Sequence, residues 1–188
     1  MSTFCQLMDK SESGGCGCKI PSSVLSKILS ETAAANTVAD DKVVLGFASS
    51  DDCAVYDNGD NYLLFTTDYF SPIVNDPYLF GQLAASNAVS DIFASGGTPL
   101  IANSIMAFDP QQVPVEQVTQ MILGAQSVMN KFNVSIVGGH TIKNAQPLYG
   151  FSIIGEVQRH RLKKNNTRHN EQGPLLSPAC KQCSVRSR

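Results

Sequence analysis

Asp91 interrupts the most regular apolar pattern in the chain, and that one carboxylate constrains the fold more than any other residue. Phe80, Leu83, Ala84, Ala88, Ile92 and Phe93 recur at helical spacing between Asp76-Pro77, which opens the pattern, and Gly96-Gly97, which stops it. A helix of that composition packs over most of its surface, and an ionised carboxylate is rarely buried without a partner. Asn87, one turn earlier, shares a face with Asp91, so the two side chains together offer oxygen ligands. This helix is expected to carry chemistry as well as packing.

The neighbouring patterns alternate between the two regular periods. After Pro21, the spacing of Val24, Leu25, Ile28 and Leu29 predicts a helix over 22–35. Short runs rich in Val, Leu and aromatic residues predict strands over 43–48 and 62–67, read as antiparallel neighbours on either side of the turn Asp57-Asn58-Gly59-Asp60. A strand over 100–108, an amphipathic helix over 115–132 and strands over 134–137 and 148–157 follow. The order of elements predicts an α/β (α+β) domain, a mixed sheet with flanking helices, over residues 20–158. Residues 1–19 are rich in Ser and Gly, with too few apolar side chains to hold one conformation alone, and are expected to be mobile. Residues 159–188 have neither period and read as a disordered basic tail.

With 188 residues, 43% of them hydrophobic, the chain can enclose one sizeable core. Its formal charge of -2 hides an asymmetry: fifteen of sixteen acidic residues, but only six of fourteen basic ones, precede Arg159. An acidic body with an unpatterned basic end excludes the basic stripe of a nucleic-acid surface. The first residues lack the n- and h-regions of a secretory signal, and no apolar run approaches a membrane span. The reading is a cytoplasmic protein, in which the six cysteines are free thiols, ligands or a nucleophile rather than disulfides. A zinc site from Cys16, Cys18, Cys180 and Cys183 is disfavoured by the Cys-x-Cys spacing and the long separation of the pairs.

Nucleotide signatures of the P-loop and dinucleotide-binding types are missing: the nearest match to the latter, from Gly15, ends in Ile20 and follows no strand. Instead, acidic residues sit at the ends of apolar segments: Asp51-Asp52, Asp68 and Asp91. Carboxylates brought to 4 Å repel by about 4 kcal/mol per pair at an effective dielectric near 20. A hard cation such as Mg²⁺ resolves that repulsion and bridges carboxylates to phosphate oxygens, which makes a phosphate ligand the next inference. Phosphate donors are available in Gly14 to Lys19, and in Gly138-Gly139-His140-Thr141, read as a turn after an apolar strand. Cys16, close to Lys19, is placed for a lowered thiol pKa. Each feature has a plainer reading, since Asp51-Asp52 also suits a solvated turn, Gly138-Gly139 a tight turn and His140 a hydrogen-bonded structural role. Cys5 and Cys53 have no assignable role.

Five blocks carry a more specific signal: Gly-Cys-Gly-Cys-Lys from Gly15, Asp-Asp-x-Ala-Val-Tyr from Asp51, Thr-Thr-Asp-Tyr-Phe from Thr66, Asn-Ala-x-Ser-Asp-Ile-Phe-Ala-x-Gly-Gly from Asn87, and Gly-Gly-His-Thr from Gly138. In order and spacing, from about Gly14 to Thr167, they resemble selenophosphate synthetase (selenide, water dikinase). The acidic and Gly-Gly blocks alone resemble the wider aminoimidazole ribonucleotide synthetase-like superfamily. The resemblance implies conversion of selenide, ATP and water to selenophosphate, AMP and phosphate, with Mg²⁺, in a homodimer whose N-terminal domains share a β-barrel. It implies Cys16 and Lys19 as catalytic residues, with Lys19 also on a nucleotide phosphate. It further implies nucleotide contacts from Ser49, Ser50, Asp51, Asp68, Asp91, Gly139, His140 and Thr141, and metal contacts from Asp52, Asp68 and Asp91.

The chain departs from the family's pattern at Ser50, Cys53, Lys143 and Gln146 and, more heavily, after Thr167, where the resemblance stops. Family members continue there into a second α/β domain with a further metal-binding Asp. Residues 168–188 are therefore expected to arise from a frameshift, retained intron or alternative exon. The alternative function is an incomplete dimerisation or regulatory partner of a full-length enzyme.

Overall fold

A computed structural model describes residues 5–11, 14–15, 20–33, 40–46 and 51–165. Its centre is a six-stranded sheet in the order β1-β2-β3-β6-β4-β5. The strands are β1 (Val43–Leu45), β2 (Ala54–Asp57), β3 (Asn61–Phe70), β4 (Thr98–Ala107), β5 (Ser135–Ile142) and β6 (Leu148–Gln158). β4 and β5 run parallel and every other pair is antiparallel. The parallel pair is joined by a helix, as a parallel connection requires. The described residues also form three α-helices, α1 (Ser22–Ala33), α2 (Pro77–Ala94) and α3 (Val115–Lys131).

The mixed α/β architecture agrees with the sequence reading, and most of the differences lie around short or glycine-rich strands. β1 and β3 are not neighbours, because β2 lies between them and pairs with both. The four residues of β2 are too short a run to show a period, yet Val55 is buried and Ala54 and Tyr56 are exposed. β5 continues through Gly138-Gly139-His140-Thr141, which is therefore strand and not turn. Close strand packing explains the glycine: a Cβ on Gly139 would lie 2.1 Å from the Ser104 carbonyl oxygen of β4.

α2 begins as its sequence demands. Asp76 accepts a hydrogen bond from the Leu79 N–H at 3.0 Å, and Pro77 occupies the first turn, where no N–H is needed. Phe80, Ala84, Ala85, Ala88, Val89 and Ile92 are buried. They meet one face of the sheet through an aromatic cluster in which Phe80 packs edge-on to Phe70 (5.7 Å) and Tyr149 (6.3 Å). Tyr149 in turn lies 5.1 Å from Phe151. Burial pushes the Tyr149 hydroxyl up to about 12.

α3 packs against α2 at a separation only glycine allows. A Cβ on Gly81 would fall 1.9 Å from the Met121 carbonyl oxygen, and one on Gly124 2.0 Å from that of Tyr78. Among the described residues nothing covers the other face of the sheet: Phe65, Tyr69, Ile101 and Ile154 are all exposed, Phe65 and Tyr69 by half. Phe65, Ile154 and Ile101 are register partners across β3, β6 and β4, so they form one apolar row.

Both ends of residues 20–158 have attachments. The N-terminal stretch is docked rather than free where it is described: a short 3-10 turn, Leu7–Lys10, buries Leu7 completely. Gln117 of α3, itself buried, donates to the Cys5 carbonyl at 2.9 Å, and the Met8 N–H donates to Asn75 Oδ1 at 2.9 Å. At the other end the ordered body passes 158 and runs to Asn165. Arg159 donates from Nε to the Gly59 carbonyl at 2.9 Å, pairs with Asp57 and stacks 4.8 Å over the Tyr62 ring. The remainder of the basic tail lies outside the described residues.

Two measurements check this packing. Gly124→Ala should overpack the α2–α3 contact by about 1–3 kcal/mol, read as a fall in Tm. The Asp57 carboxyl is held below its ordinary 3.8, first by the Gly59 N–H and then by Arg159. A carboxylate depressed on folding stabilises above its unfolded value and loses that contribution as pH falls through its folded one. The Tm gap between wild type and Asp57→Asn should therefore be open at neutral pH and narrow below pH 3.8.

Candidate functional site

The period of a strand and the period of a helix meet at the β3–α2 contact. Thr66 and Asp68 share a face of β3, two residues apart, while Asn87 and Asp91 share a face of α2, four apart. Thr66 Oγ1 donates to Asp91 Oδ2 at 2.8 Å, and Asn87 Nδ2 donates to Asp68 Oδ2 at 3.0 Å. Each carboxylate thus has a neutral donor from the opposite element. Ser90 is tied back to the Asn87 carbonyl at 2.6 Å. Asn87 is accordingly a positioning donor to Asp68 here, a different use from the paired ligand expected from its spacing.

Asp51 and Asp52 approach the same region from the start of β2. Between them and α2 lies Cys53, 3% exposed. Its thiol is pushed up to about 11, chiefly by burial, against a hydrogen bond with Ser95; the charges of Asp91, Asp52 and Asp51 push it up further. All three charges therefore act on this one buried thiol. Asp51 Oδ1 accepts the backbone N–H of Asn165 at 2.7 Å. Among the described residues, no three His, Cys, Asp or Glu side chains converge tightly enough to hold a metal ion. The repulsion that favours a cation also keeps carboxylates apart until one arrives. The donors on offer are hard oxygens, the set that suits Mg²⁺.

Gly139, His140 and Thr141 lie on β5, the far edge of the sheet, and all three are exposed. Register relates them to the acidic side: Asp68, Phe151, Ser104 and Gly139 form one continuous row across β3, β6, β4 and β5. Three strand spacings place Gly139 about 14 Å from Asp68. Cys16, Lys19, Ser49 and Ser50 lie outside the described residues. Sequence reading missed Thr66 as the donor to Asp91, although its position two residues before Asp68 was a usable signal. It also passed over Asp109, whose carboxyl is held below its usual range, first by the Gln111 N–H, with Lys143 Nζ 3.6 Å away.

An acidic strand–helix junction on an antiparallel-rich mixed sheet, with a Gly-Gly strand at the far edge, defines a class of α/β domain, and comparison with known proteins gives the family. Residues 50–157 match the family described as AIR synthase related protein, N-terminal domain, and the chain belongs to it. Among curated relatives, it is 41% identical over 162 residues to a selenide, water dikinase of Dechloromonas aromatica, covering 86% of this chain and 46% of that protein. It is also 41% identical over 168 residues to the selenide, water dikinase of Pseudomonas putida, covering 89% and 48%. The chain spans about half the length of these curated relatives. Among solved structures, thiamine monophosphate kinase from Aquifex aeolicus superposes with a TM-score of 0.59 at 21% identity, over 77% of this chain and 45% of that one. A structure described as AaThiL complexed with AMPPCP and TMP gives 0.59 at 23% identity, over 72% and 41%. These confirm the fold. No helix among the described residues is long and apolar enough to cross a membrane.

The buried thiol gives a direct check on the site. Cys53 should resist iodoacetamide in the native protein at mildly alkaline pH and react once urea unfolds it, read by peptide mass spectrometry. Asp91→Asn removes one of the charges acting on it and should lower its titration midpoint.

Proposed function

We propose that this chain is the nucleotide-binding half of a selenide, water dikinase, binding Mg·ATP across the β3–α2 junction and the β5 edge in the cytoplasm. The supporting observation is the pairing of Asp68 and Asp91 with Asn87 and Thr66, which holds two carboxylates in place by neutral donors. The relatives named selenide, water dikinase supply the substrate class, and the fold neighbour complexed with AMPPCP is consistent with a triphosphate ligand. In this reading Asp52, Asp68 and Asp91 hold Mg²⁺, which would neutralise phosphate charge. Ser49, Ser50, Asp51 and the strand Gly139 to Thr141 contact the nucleotide, whose extended form suits a span of about 14 Å. Lys19 binds a phosphate, and the Cys16 thiolate handles selenium. Orientation and charge neutralisation of the transferring phosphoryl group supply most of the rate in such a reaction.

The uncovered apolar row of Phe65, Ile154 and Ile101 supports pairing of this sheet face with a second copy, or with the matching face of a longer relative, as a homodimer or a regulatory partner. Phe65→Asp should convert a dimer to a monomer in sedimentation.

The test of function is anaerobic incubation with ATP, Mg²⁺ and selenide, followed by phosphorus NMR, beside equilibrium binding of ATP. Magnesium-dependent ATP binding should weaken at least tenfold in Asp68→Asn, while selenide-dependent AMP formation should vanish in Cys16→Ser with ATP binding retained. No magnesium-dependent ATP binding by the wild-type chain would sink the proposal. Binding and dimerisation without turnover would favour the partner reading.

A further inference from the structure

The segment after β6 returns to the acidic site. Leaving the 3-10 turn Arg159–Arg161, the backbone crosses the C-terminus of α2, where the Lys163 N–H donates to the Ser95 carbonyl at 3.0 Å. The crossing is tight: a Cβ on Gly96 would lie 2.5 Å from the Arg161 carbonyl oxygen. Two residues later the Asn165 N–H donates to Asp51 Oδ1 at 2.7 Å, a bond spanning 114 positions in the sequence. The end of α2 and the residue three before β2 are therefore both fastened to residues 163–165.

From this geometry we infer that residues 163–165 are a latch that orients Asp51 toward bound nucleotide, with the Asn165 backbone amide as the positioning group. The inference rests on the nucleotide-binding reading above. A backbone N–H donating to an ionised carboxylate is a strong, directional hydrogen bond. It occupies one oxygen and fixes the plane of the group, leaving the other oxygen for a metal-bound or nucleotide partner. Because the amide belongs to the main chain, the Asn165 side chain is dispensable to the latch. Fastening by backbone also ties the position of residue 165 to the state of the carboxylate site.

The substitution pair Asn165→Pro and Asn165→Ala separates this from a general structural role, because only proline removes the N–H. Magnesium-dependent ATP affinity should fall about tenfold in Asn165→Pro, the lower end of the effect of outer-shell partners on a metal site, and stay at the wild-type value in Asn165→Ala. In an Asp51→Ala background, Asn165→Pro should cost nothing further, since the acceptor is already gone. A readout independent of nucleotide is amide hydrogen exchange: protection at Asn165 should be present in the wild type and lost in Asp51→Ala. Equal ATP affinity in the proline and alanine variants, or additive losses in the double variant, would overturn the inference. So would exchange at Asn165 that ignores Asp51. A wild-type chain with Asn165 protected but no ATP binding would overturn the nucleotide role and leave a purely structural clasp.

Discussion

Two hydrogen bonds between β3 and α2 organise the charged part of this molecule. A helix packed against a sheet normally excludes carboxylates, because moving one from water into a partly buried setting without a partner costs several kcal/mol. Here each aspartate at the contact meets a neutral donor from the opposite element, so charge is tolerated where the packing is dense. That arrangement depends on α2 lying at one fixed height on the sheet. The height is set from below by Phe80 among Phe70 and Tyr149, and from above by the glycine contact with α3. The placement of the acidic groups is thus a product of core packing, and a change in the aromatic cluster would reach them without touching them.

The sheet is used asymmetrically. One face, under α2 and α3, makes the core; the opposite face presents an apolar row to solvent. The edge strand β5 is the parallel one, held on one side only by β4, and it carries the glycines that let the two backbones approach. The residues attributed to nucleotide binding therefore sit at opposite ends of one cross-sheet row, with β6 and β4 between them. Their separation is determined by strand spacing, which tolerates little adjustment.

Much of this was legible in the residues, for identifiable reasons. α2, α3, β4 and β6 are long enough for their periods to show, and Asp76-Pro77 and Gly96-Gly97 mark the ends of α2 plainly. Asp51, Asp52, Asp68 and Asp91 stood out because charge at the edge of an apolar run has few structural uses. β2 was missed because four residues carry only two alternations, too few to stand out. The second half of β5 was taken for a turn because glycine signals both chain reversal and close backbone approach, and only the neighbouring strand decides between them. The bond of Gln117 to Cys5 and the return of Asn165 to Asp51 were invisible for a different reason: each joins positions more than a hundred residues apart in the chain through one side chain or one amide.

The attachment of the N-terminal stretch to α3 has a consequence for the order of folding. Cys5 reaches its partner only when Gln117, 112 positions later, has been synthesised and α3 has packed on α2. This stretch, made before the helices, is thus among the last to find its place, since long-range contacts form late and domains assemble as units. Completion of the α2–α3 core is the event that fixes residues 5–10 on the body of the protein.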